Sequence, residues 1–287
     1  MPKKILIQLD CDPQPSTFDA VVAVDAGADV LLRHGGVTPE NVEPLVHGAM
    51  FTRGGADLAA TAIFIGGSDV AAAEAVANRV RRTFFGPVRV GVLVDPNGAN
   101  TTAAAAVIEV ARHVAIDARC RAVVLGGTGP VGERVARLLA GKGARVTLAS
   151  RSPDRAAVVA RRIEAAVPAA VVSPAGGDGP LAAAVAAADV VVAAGAAGVT
   201  LLDEASRRRA AAARVIVDIN AVPQAGIEGI LPTDKARPDG AAVLYGALGV
   251  GGTKMKIHKA AIGRIFTDTA AFLDAEDLLA IGEAGPA

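Results

Sequence analysis

The sequence predicts an α/β fold built from two domains, and three observations support this prediction. Short apolar runs alternate with helical patterns through residues 4–94, which is typical of a parallel sheet covered by helices. A glycine-rich turn then stands between an apolar run and a helical pattern, near residue 127. The length of 287 residues is enough for two units, each with its own core.

The glycine-rich turn lies in the stretch Ala122 to Gly132, which reads AVVLGGTGPVG. Gly127 is expected to allow the sharp turn, Gly129 to leave room for a pyrophosphate, and Gly132 to let the helix pack on the strand. A chain with 32 glycines can match this pattern by coincidence, but the flanking strand and helix patterns argue against that. The stretch predicts a Rossmann-type dinucleotide-binding domain, because a helix N-terminus attracts phosphate. The expected pyrophosphate contacts are Gly127, Thr128, Gly129, Pro130 and Val131.

The end of the next strand indicates which dinucleotide is bound. Arg145 to Ala149 alternates as a strand, and Ser150, Arg151 and Arg155 follow it. An NAD site has an acid here for the ribose 2′-hydroxyl, whereas an arginine suits a 2′-phosphate. Guanidinium groups stack on adenine and form paired hydrogen bonds with phosphate. The sequence therefore predicts that these three residues bind NADP, with NAD as a weaker alternative; the competing interpretation is a solvated loop arginine.

The N-terminal domain is predicted from strands that alternate with helices. Its strands are expected at residues 4–9, 28–32, 61–65 and 88–94. Helix caps are expected at Ser16 or Thr17, at Thr38 followed by Pro39 with a helix to about His47, and at Ser68 or Asp69. We expect this domain at 1–118 and the dinucleotide domain at 119–267. A C-terminal helix in 268–287 could pack back on the first domain.

The dinucleotide domain continues with further strands and helices after residue 150. Strands are expected at 169–173, 189–196, 214–219 and 242–244, and helices at 154–166, 181–187, 202–211 and from 253 onward. Small residues at the end of strand 189–196 would let a nicotinamide ribose lie against the backbone. We therefore expect Ala194, Gly195 and Ala196 to contact the nicotinamide half of the cofactor, with Asn220 as a further candidate.

A polar loop at 95–102 follows the last strand of the first domain. In open α/β sheets, ligands bind beyond the carboxyl ends of the strands, so this loop is placed to meet a ligand. Asn97, Asn100 and Thr102 could hold an amide-bearing heterocycle. The alternative is that Asn100 or Thr101 caps the long helix that follows, and one residue can cap while its neighbours bind.

The composition excludes several classes of function. Basic and acidic residues number 29 each, so there is no basic field for nucleic acid or an anionic membrane, and a small-molecule partner is expected. Cys11 and Cys120 show neither paired spacing nor accompanying histidines, so no disulfide framework and no metal site is predicted. Every apolar run is interrupted before the roughly 18 residues of a membrane helix. The first residues lack a signal-peptide pattern, so a cytoplasmic protein is expected.

The sequence lacks the residue patterns that remove a proton from an alcohol. Tyr245 is the single tyrosine and Gly249 follows four residues later, so the Tyr-x-x-x-Lys pair of short-chain reductases is missing. The four histidines are scattered and form neither a Ser/His/Asp arrangement nor a zinc pattern. These absences favour a hydride transfer that removes no proton from the substrate.

Five stretches of the chain together resemble a known family. They are TRGG at 52–55, TAIF at 61–64, NGANTTAAA at 97–105, TGPVG at 128–132 and GALGVGGTKMKIH at 246–258. In this order and over nearly the whole chain, they resemble the NADP-dependent methylene-tetrahydromethanopterin dehydrogenases of methylotrophic bacteria, which are related to the folate methylene dehydrogenases. The resemblance implies oxidation of methylene-tetrahydromethanopterin, or in some members methylene-tetrahydrofolate, to the methenyl form in one-carbon (formaldehyde) metabolism.

The resemblance also implies roles for individual residues. Lys256 is the first candidate for a catalytic contact with the pterin, and Arg53 could reach the substrate or an adjacent subunit. In the folate relatives, a lysine of the N-terminal domain supports a cyclohydrolase step. This chain has no lysine between Lys4 and Lys142, so we predict dehydrogenase activity without cyclohydrolase activity. A homo-oligomer, such as a trimer, is expected from the family alone.

Three alternatives stay open at this point. Methylene-tetrahydrofolate could be the main substrate, because the two pterins differ mainly far from the reacting carbon. Another NADP oxidoreductase of this two-domain plan, such as a shikimate dehydrogenase-like enzyme, would require a Lys-Asp pair that the first domain lacks. A redox-sensing module would bind NADP without turnover.

Overall fold

The structure is a computed structural model that describes residues 2–285, apart from the side chain of Asp178. The chain divides into two compact units. The first unit combines Met1–Thr101 with Met255–Ala287, and the second unit is Thr102–Lys254.

The strands are numbered in chain order. They are β1 (Ile5–Asp10), β2 (Val30–His34), β3 (Thr61–Gly66), β4 (Gly91–Val94), β5 (Arg121–Leu125), β6 (Arg145–Ala149), β7 (Val171–Ala175), β8 (Val190–Ala193), β9 (Val215–Asp218), β10 (Arg237–Asp239), β11 (Ala242–Tyr245) and β12 (Phe272–Leu273).

The α-helices are numbered in the same way. They are α1 (Thr17–Asp25), α2 (Glu43–Phe51), α3 (Val70–Thr83), α4 (Ala99–Ala111), α5 (Pro130–Gly141), α6 (Pro153–Ala166), α7 (Asp178–Ala187), α8 (Glu204–Arg209), α9 (Ala247–Ile265) and α10 (Ala275–Ala284). Both boundaries between the units fall inside helices, one in α4 and one in α9.

The first unit contains a five-stranded sheet in the order β12-β4-β3-β1-β2. All four pairings are parallel, so the carboxyl ends of these strands meet at one edge. Strand β3 is buried along its whole length and forms the centre of an aliphatic core. The loops that follow β1, β3 and β4 therefore lie at the same edge of this sheet.

The second unit contains a seven-stranded sheet in the order β10-β11-β9-β8-β5-β6-β7. All pairings are parallel except β10 with β11, which is antiparallel. Strands β5 and β8 are neighbours although three helices and two strands separate them in the sequence. The chain adds strands outward from β5 through β6 to β7 and then on the other side of β5 from β8 onward, so this pair is the switch point where open α/β sheets bind ligands. The predicted α/β fold with a Rossmann-type domain is therefore confirmed.

Side-chain caps explain where several helices begin. The Ser16 hydroxyl accepts a hydrogen bond from the Asp19 amide at 3.2 Å, as predicted for α1. Asp69 caps α3 by accepting from the Ala72 amide at 3.1 Å. Asp274 and Asp277 form a reciprocal capping box at the start of α10. Each cap satisfies an amide that would otherwise lack a partner at the helix end.

The predicted helix at 38–47 is wrong at both ends. The Thr38 amide donates to the side-chain oxygen of Asn41 at 2.8 Å, and the Asn41 side-chain amide donates to the Gly36 carbonyl at 3.0 Å. These bonds close a turn where the helix was expected. Helix α2 begins instead at Glu43 and runs to Phe51. Strands β10 and β12, only three and two residues long, were not predicted, and α9 begins six residues before the predicted start at 253.

Candidate active site

The turn after β5 begins at Gly126, which has a positive φ of 68°. A Cβ atom at Gly126 would lie 2.6 Å from the Cα atom of Gly195, in the loop after β8. The sharp turn was assigned to Gly127, but the left-handed backbone belongs to Gly126. Gly127 serves packing, since its Cβ would lie 2.6 Å from the Cγ atom of Leu148. The loops after β5 and β8 can approach this closely because Gly126 has no side chain.

The helix α5 that follows packs tightly on this turn. A Cβ atom at Gly132 would lie 2.5 Å from the Gly126 carbonyl oxygen, so the predicted close packing at Gly132 is present. At Gly129, the nearest atoms to such a Cβ would be 3.4 Å and 3.6 Å away, which is ordinary contact. Gly129 caps the helix with extended backbone, and Pro130 follows at its first position. The space beside Gly129 and the first helix amides is suited to a phosphate group.

The end of β6 carries the residues predicted to bind the 2′-phosphate. The Ser150 hydroxyl accepts from the Ser152 amide at 3.2 Å, and the Ser152 hydroxyl accepts from the Arg155 amide to cap α6. Arg151 and Arg155 are both exposed. Within residues 2–285, no acidic side chain that the structure describes forms an ion pair with either guanidinium. Both are therefore available to an anionic ligand.

The loop after β8 contains the small residues predicted for the nicotinamide side. The Ala194 amide donates to the Leu125 carbonyl at 2.9 Å, which ties this loop to the end of β5. Ala194 and Gly195 are half-buried, and Ala196 is exposed. A Cβ atom at Gly195 would lie 2.6 Å from the Cδ1 atom of Leu201, so a larger residue there would displace the Leu201 side chain. The backbone at 194–196 is open to a ligand at the switch point.

Asp218, at the end of β9, is a structural residue that the sequence analysis missed. Its side chain is 2% exposed and accepts hydrogen bonds from the amides of Asn220 and Ile227, each at 3.0 Å. Burial raises the pKa of this carboxyl, and the hydrogen bonds from backbone amides oppose the shift. An acid directly after an apolar strand was the signal that could have identified it.

Asn220 holds its own loop together. Its side-chain amide donates to the Gln224 carbonyl at 3.0 Å, and its side-chain oxygen accepts from the Val222 amide at 3.1 Å. These two bonds use one donor hydrogen and one lone pair of the amide. A contact between Asn220 and the cofactor stays a prediction, and the side chain shapes the loop in any case.

In the first unit, the loop after β4 is organised by Asp95. This carboxylate is fully buried and accepts from the amides of Asn100 and Thr101 at 2.9 Å and 3.0 Å, and from the Thr101 hydroxyl at 2.6 Å. Asp95 therefore satisfies the first amides of α4, and the helix begins at Ala99 rather than at 102. The expectation that Asn100 or Thr101 is the cap is wrong, because both are donors to Asp95.

The three ligand candidates of this loop differ in accessibility. Asn100 is 2% exposed, and its side-chain amide donates to the Val94 carbonyl at 2.6 Å. Asn97 is exposed and has a positive φ of 53°. Thr102, the first residue of the second unit, is half-buried. Asn100 thus stabilises the loop, whereas Asn97 presents its side chain to solvent.

Arg53 lies at the opposite edge of the first sheet from these residues. One of its guanidinium nitrogens donates to the carbonyls of Lys3 and Ala60, both at 2.9 Å. Lys3 and Ala60 precede β1 and β3, so Arg53 joins the amino ends of two strands. Ligands of parallel sheets bind at the carboxyl ends, so these bonds give Arg53 a structural role at the other edge, and a contact between Arg53 and the substrate stays a prediction.

The lysines of α9 are not equivalent. The Lys259 ammonium lies 2.8 Å from the carboxylate of Asp25, which is a surface ion pair in the first unit. Lys256 is exposed, and its ammonium group forms no hydrogen bond or ion pair with the described part of the chain. Lys254 is half-buried and has a partner in the protein. Lys256 is therefore the α9 lysine best able to bind a ligand.

The loop after β1 is a further feature of the carboxyl edge that the sequence analysis missed. Asp10 is fully buried and accepts from the amides of Asp12 and Ser16, each at 2.9 Å. Asp12 in turn accepts from the Ser68 amide at 2.9 Å and the Ser68 hydroxyl at 2.8 Å. These bonds fix the loops after β1 and β3 to each other. The described residues, these aspartates included, hold no group of His, Cys, Asp and Glu that could bind a metal ion. No described helix is long and apolar enough to cross a membrane.

These features define the class of protein. One unit has a glycine turn at the switch point of its largely parallel sheet and exposed arginines after β6. Together with another α/β unit in the same chain, these features are typical of two-domain nicotinamide-nucleotide dehydrogenases. Comparison with known proteins identifies the family: the chain belongs to the NAD(P)-dependent methylenetetrahydromethanopterin dehydrogenases. The predicted resemblance is confirmed.

The relatives cover nearly the whole chain. The "Bifunctional protein MdtA" of Methylorubrum extorquens is 44% identical over 283 residues, which are 97% of each protein. The "NAD(P)-dependent methylenetetrahydromethanopterin dehydrogenase" of the same organism is 35% identical over 266 residues, with 88% and 89% covered. The family "Methylene-tetrahydromethanopterin dehydrogenase, N-terminal" matches residues 17–97, and "Shikimate / quinate 5-dehydrogenase" matches residues 109–229.

A solved structure supports the fold alone. The ligand-free 5-ketofructose reductase of Gluconobacter sp. strain CHM43 aligns with a TM-score of 0.53 at 15% identity and covers 99% of both chains. The chain therefore shares its fold with this reductase.

Proposed function

We propose that this chain oxidises methylene-tetrahydromethanopterin to methenyl-tetrahydromethanopterin by direct hydride transfer to NADP+, in one-carbon metabolism and without cyclohydrolase activity. Membership of the family, and the name of the Methylorubrum relative that is 35% identical, support the substrate class. The reaction type is supported by one structural observation. Asp218, a buried acid at the nicotinamide side of the switch point, is committed to backbone amides and is not placed to remove a proton.

The residues of the second unit fit NADP. The turn at 126–129 leaves space beside Gly129 where a side chain would otherwise stand, and the first amides of α5 would bind the pyrophosphate. Arg151 and Arg155, exposed and without acidic partners among the described side chains, would bind the 2′-phosphate. The backbone at 194–196 would support the nicotinamide ribose. When bound, NADP+ supplies the hydride acceptor.

The chemistry of the substrate explains why no base is needed. The bridging carbon lies between two nitrogens, and their lone pairs stabilise the cation that forms as hydride leaves. The protein then has to hold the pterin and NADP+ so that the bridging carbon faces the nicotinamide ring, and exclude other arrangements of the two molecules. Such positioning can supply roughly 7–11 kcal/mol of the barrier reduction. We assign Lys256, Asn97 and Thr102 to pterin contacts, and we propose Asn100 as a support of this loop.

Two features separate this proposal from its rivals. The match of residues 109–229 to shikimate and quinate dehydrogenases covers the dinucleotide unit, but residues 5–141 contain no lysine for the Lys-Asp pair of that chemistry. The same absence supports dehydrogenase activity without the cyclohydrolase step. Methylene-tetrahydrofolate stays the alternative main substrate, and a homo-oligomer stays a prediction.

The test is a set of initial-rate measurements with purified protein, two pterins and two nucleotides. Methylene-tetrahydromethanopterin and methylene-tetrahydrofolate are each combined with NADP+ or NAD+, and reduced nicotinamide is followed by fluorescence. We expect turnover with the methanopterin substrate and NADP+, and much less with NAD+. Faster turnover with methylene-tetrahydrofolate would make the folate the main substrate. NADP binding without turnover of either pterin would reject the proposal. Supplying the methenyl product and finding it hydrolysed faster than in buffer would refute the absence of cyclohydrolase activity.

A further inference from the structure

A fully buried carboxylate lies near the C-terminal end of α4. Glu109 has no exposed surface, and it occupies the last turn of the helix, where the negative end of the helix dipole disfavours an anion. Burying a charge is costly unless nearby groups compensate it. The groups that compensate Glu109 therefore show what this carboxylate holds in place.

Glu109 has two compensating partners in the second unit. One carboxylate oxygen accepts a hydrogen bond from the hydroxyl of Thr253 in α9. The guanidinium nitrogen Nε of Arg112 lies 3.3 Å from the other oxygen. The Arg112 side chain is 56% exposed and lies between Glu109 and solvent. Thr253 contacts the same carboxylate from α9.

A second contact between the same regions lies beside the first. The Nε2 atom of His113 and the hydroxyl of Tyr245 share a hydrogen bond of 2.9 Å. Tyr245 is 2% exposed. Burial, and then the charge of Glu109 and a hydrogen bond with it, raise the pKa of Tyr245 to about 12. The tyrosine therefore keeps its proton at physiological pH and remains a donor.

Tyr245 and Thr253 flank one short segment of the chain, residues 246–252. This segment begins at the carboxyl end of β11, which lies at the same sheet edge as the ends of β5, β8 and β9. Cβ atoms at Gly246 and Gly249 would lie 2.0 Å and 1.8 Å from the carbonyl oxygens of Leu231 and Asp234. One face of the segment thus rests directly on the backbone of 231–234.

The other face of the segment is open. Residues 247–252 form the beginning of α9, and apart from the neighbouring backbone of this helix, no atom lies within 4 Å of the positions that Cβ atoms would take at Gly251 and Gly252. Strands β8, β9 and β11 form the half of the sheet on the nicotinamide side of the switch point. A glycine segment that is backed by protein on one face and open on the other can serve as a wall for a planar ring.

We infer that Glu109 and His113 are positioning residues that hold segment 246–252, through Thr253 and Tyr245, as the wall of the nicotinamide-side site. This inference rests on the proposed function, because it requires a nicotinamide nucleotide as ligand. The two contacts act at the two ends of the segment. Loss of either contact would loosen the wall without changing the residues that bind the adenosine phosphate.

The test compares a ligand that has the nicotinamide with a fragment that lacks it. Kd values of NADPH and of 2′,5′-ADP are measured by titration calorimetry for the wild type and for Thr253→Val, Thr253→Ser, Tyr245→Phe and Glu109→Gln. We expect Thr253→Val to raise the Kd of NADPH about tenfold, the loss expected for a hydrogen bond to a charged group. The Kd of 2′,5′-ADP should change by less than about twofold, which lies within the surface-mutation range.

Matched variants separate positioning from general destabilisation. Thr253→Ser keeps the hydroxyl and should restore NADPH binding, and Thr83→Val removes an exposed-helix hydroxyl whose acceptor is the Arg79 carbonyl and should change neither Kd. Tyr245→Phe and Glu109→Gln should likewise raise the Kd of NADPH more than the Kd of 2′,5′-ADP. Equal losses for NADPH and 2′,5′-ADP, or unchanged NADPH binding in Thr253→Val and Tyr245→Phe, would overturn the inference. A wild type that binds neither ligand would instead reject the proposed function and the inference with it.

Discussion

The hydroxyl oxygens of Thr128 and Ser150 lie 3.2 Å apart, so a side-chain hydrogen bond joins the glycine turn after β5 to the end of β6. Thr128 belongs to the predicted pyrophosphate turn, and Ser150 directly precedes Arg151. The two parts of the cofactor site therefore share one contact. This contact restricts where the backbone of Arg151 can lie relative to the turn, and it makes the arginine a defined test of nucleotide choice.

Replacing Arg151 with alanine should change the preference between the two nucleotides. A charge-assisted hydrogen bond contributes about 1.5–3 kcal/mol, so KM for NADP+ should rise about tenfold to a hundredfold. KM for NAD+ should stay nearly constant, because NAD+ has no 2′-phosphate. Arg161→Ala, at an exposed arginine of α6, is the matched control. Equal changes for both nucleotides would show that Arg151 has no role in the discrimination.

Alanine substitutions at two glycines of the turn should separate stability from binding. At Gly132 the new Cβ would lie 2.5 Å from the Gly126 carbonyl oxygen, so Gly132→Ala should lower the free energy of unfolding by at least about 1 kcal/mol despite its better helix propensity. At Gly129 the nearest atom is 3.4 Å away, so Gly129→Ala should fold normally and bind NADPH more weakly. Urea unfolding and calorimetry measure the two effects. A Gly129→Ala protein with unchanged NADPH affinity would contradict the assigned pyrophosphate site.

The two asparagines of the loop after β4 should respond in opposite ways. Asn97→Gly removes an exposed side chain and suits the positive φ of 53°, so stability should be retained while KM for the pterin rises. Asn100→Ala removes the donor to the buried Val94 carbonyl and should lower the free energy of unfolding by about 1–3 kcal/mol. Chemical unfolding and pterin saturation curves test both variants. If Asn97→Gly leaves KM unchanged, Asn97 does not belong to the substrate site.

Methionine substitutions in α9 should separate Lys256 from Lys259. Lys256→Met removes the charge of the exposed lysine that we assign to the pterin, and kcat/KM for the pterin should fall about tenfold or more, as for the loss of a charged hydrogen bond. Lys259→Met breaks the surface pair with Asp25, which should alter stability by less than about 1 kcal/mol and leave kcat/KM nearly constant. Steady-state rates at saturating NADP+ provide the comparison. Similar rates for the two variants would remove Lys256 from the site.

Stability should fall in alkaline solution, in part because of Cys120. Burial, followed by the charges of Asp189 and Asp117, raises the pKa of this thiol from 9.0 to about 11. The folded state thus favours the protonated thiol, and this contribution is complete below pH 9 and is lost as the pH rises to about 11. A shift of this size corresponds to about 2–3 kcal/mol. Urea unfolding across this range should show a shallower decline for Cys120→Ala than for the wild type, and parallel declines would contradict the assignment.

The sequence analysis predicted the elements that depend on local patterns. The strand, glycine turn and helix at 121–141 and the caps at Ser16 and Asp69 are present, since each depends on neighbouring residues. The predicted start of α2 was wrong because Thr38-Pro39 satisfies the local rule for a helix start, whereas the helix begins at Glu43 after Val42, which forms no side-chain cap. The choice between these two starts depends on the bonds of Asn41 to residues 36 and 38, and local spacing does not reveal such bonds.

Roles that depend on long-range position were harder to predict. Arg53 stands in a motif that resembles the family, but no motif shows which edge of a sheet an arginine reaches. Asn100 was proposed as a ligand because amides bind heterocycles, yet its side-chain amide donates to the carbonyl of Val94 at the end of β4. The cluster around Glu109 joins residues 144 positions apart in sequence. Only the folded chain brings such residues together.

Because the first unit is built from two separate stretches of the chain, the two units are completed in a particular order during synthesis. Its strand β4 has β12 as an outer neighbour, with Phe272 beside Val92, whereas the second unit is one uninterrupted stretch, Thr102–Lys254. A ribosome releases the chain from its N-terminus, so all strands of the seven-stranded sheet emerge before Phe272 does. The unit that emerges first is therefore completed last, and until then β4 presents an unpaired edge to the chaperones of the cell.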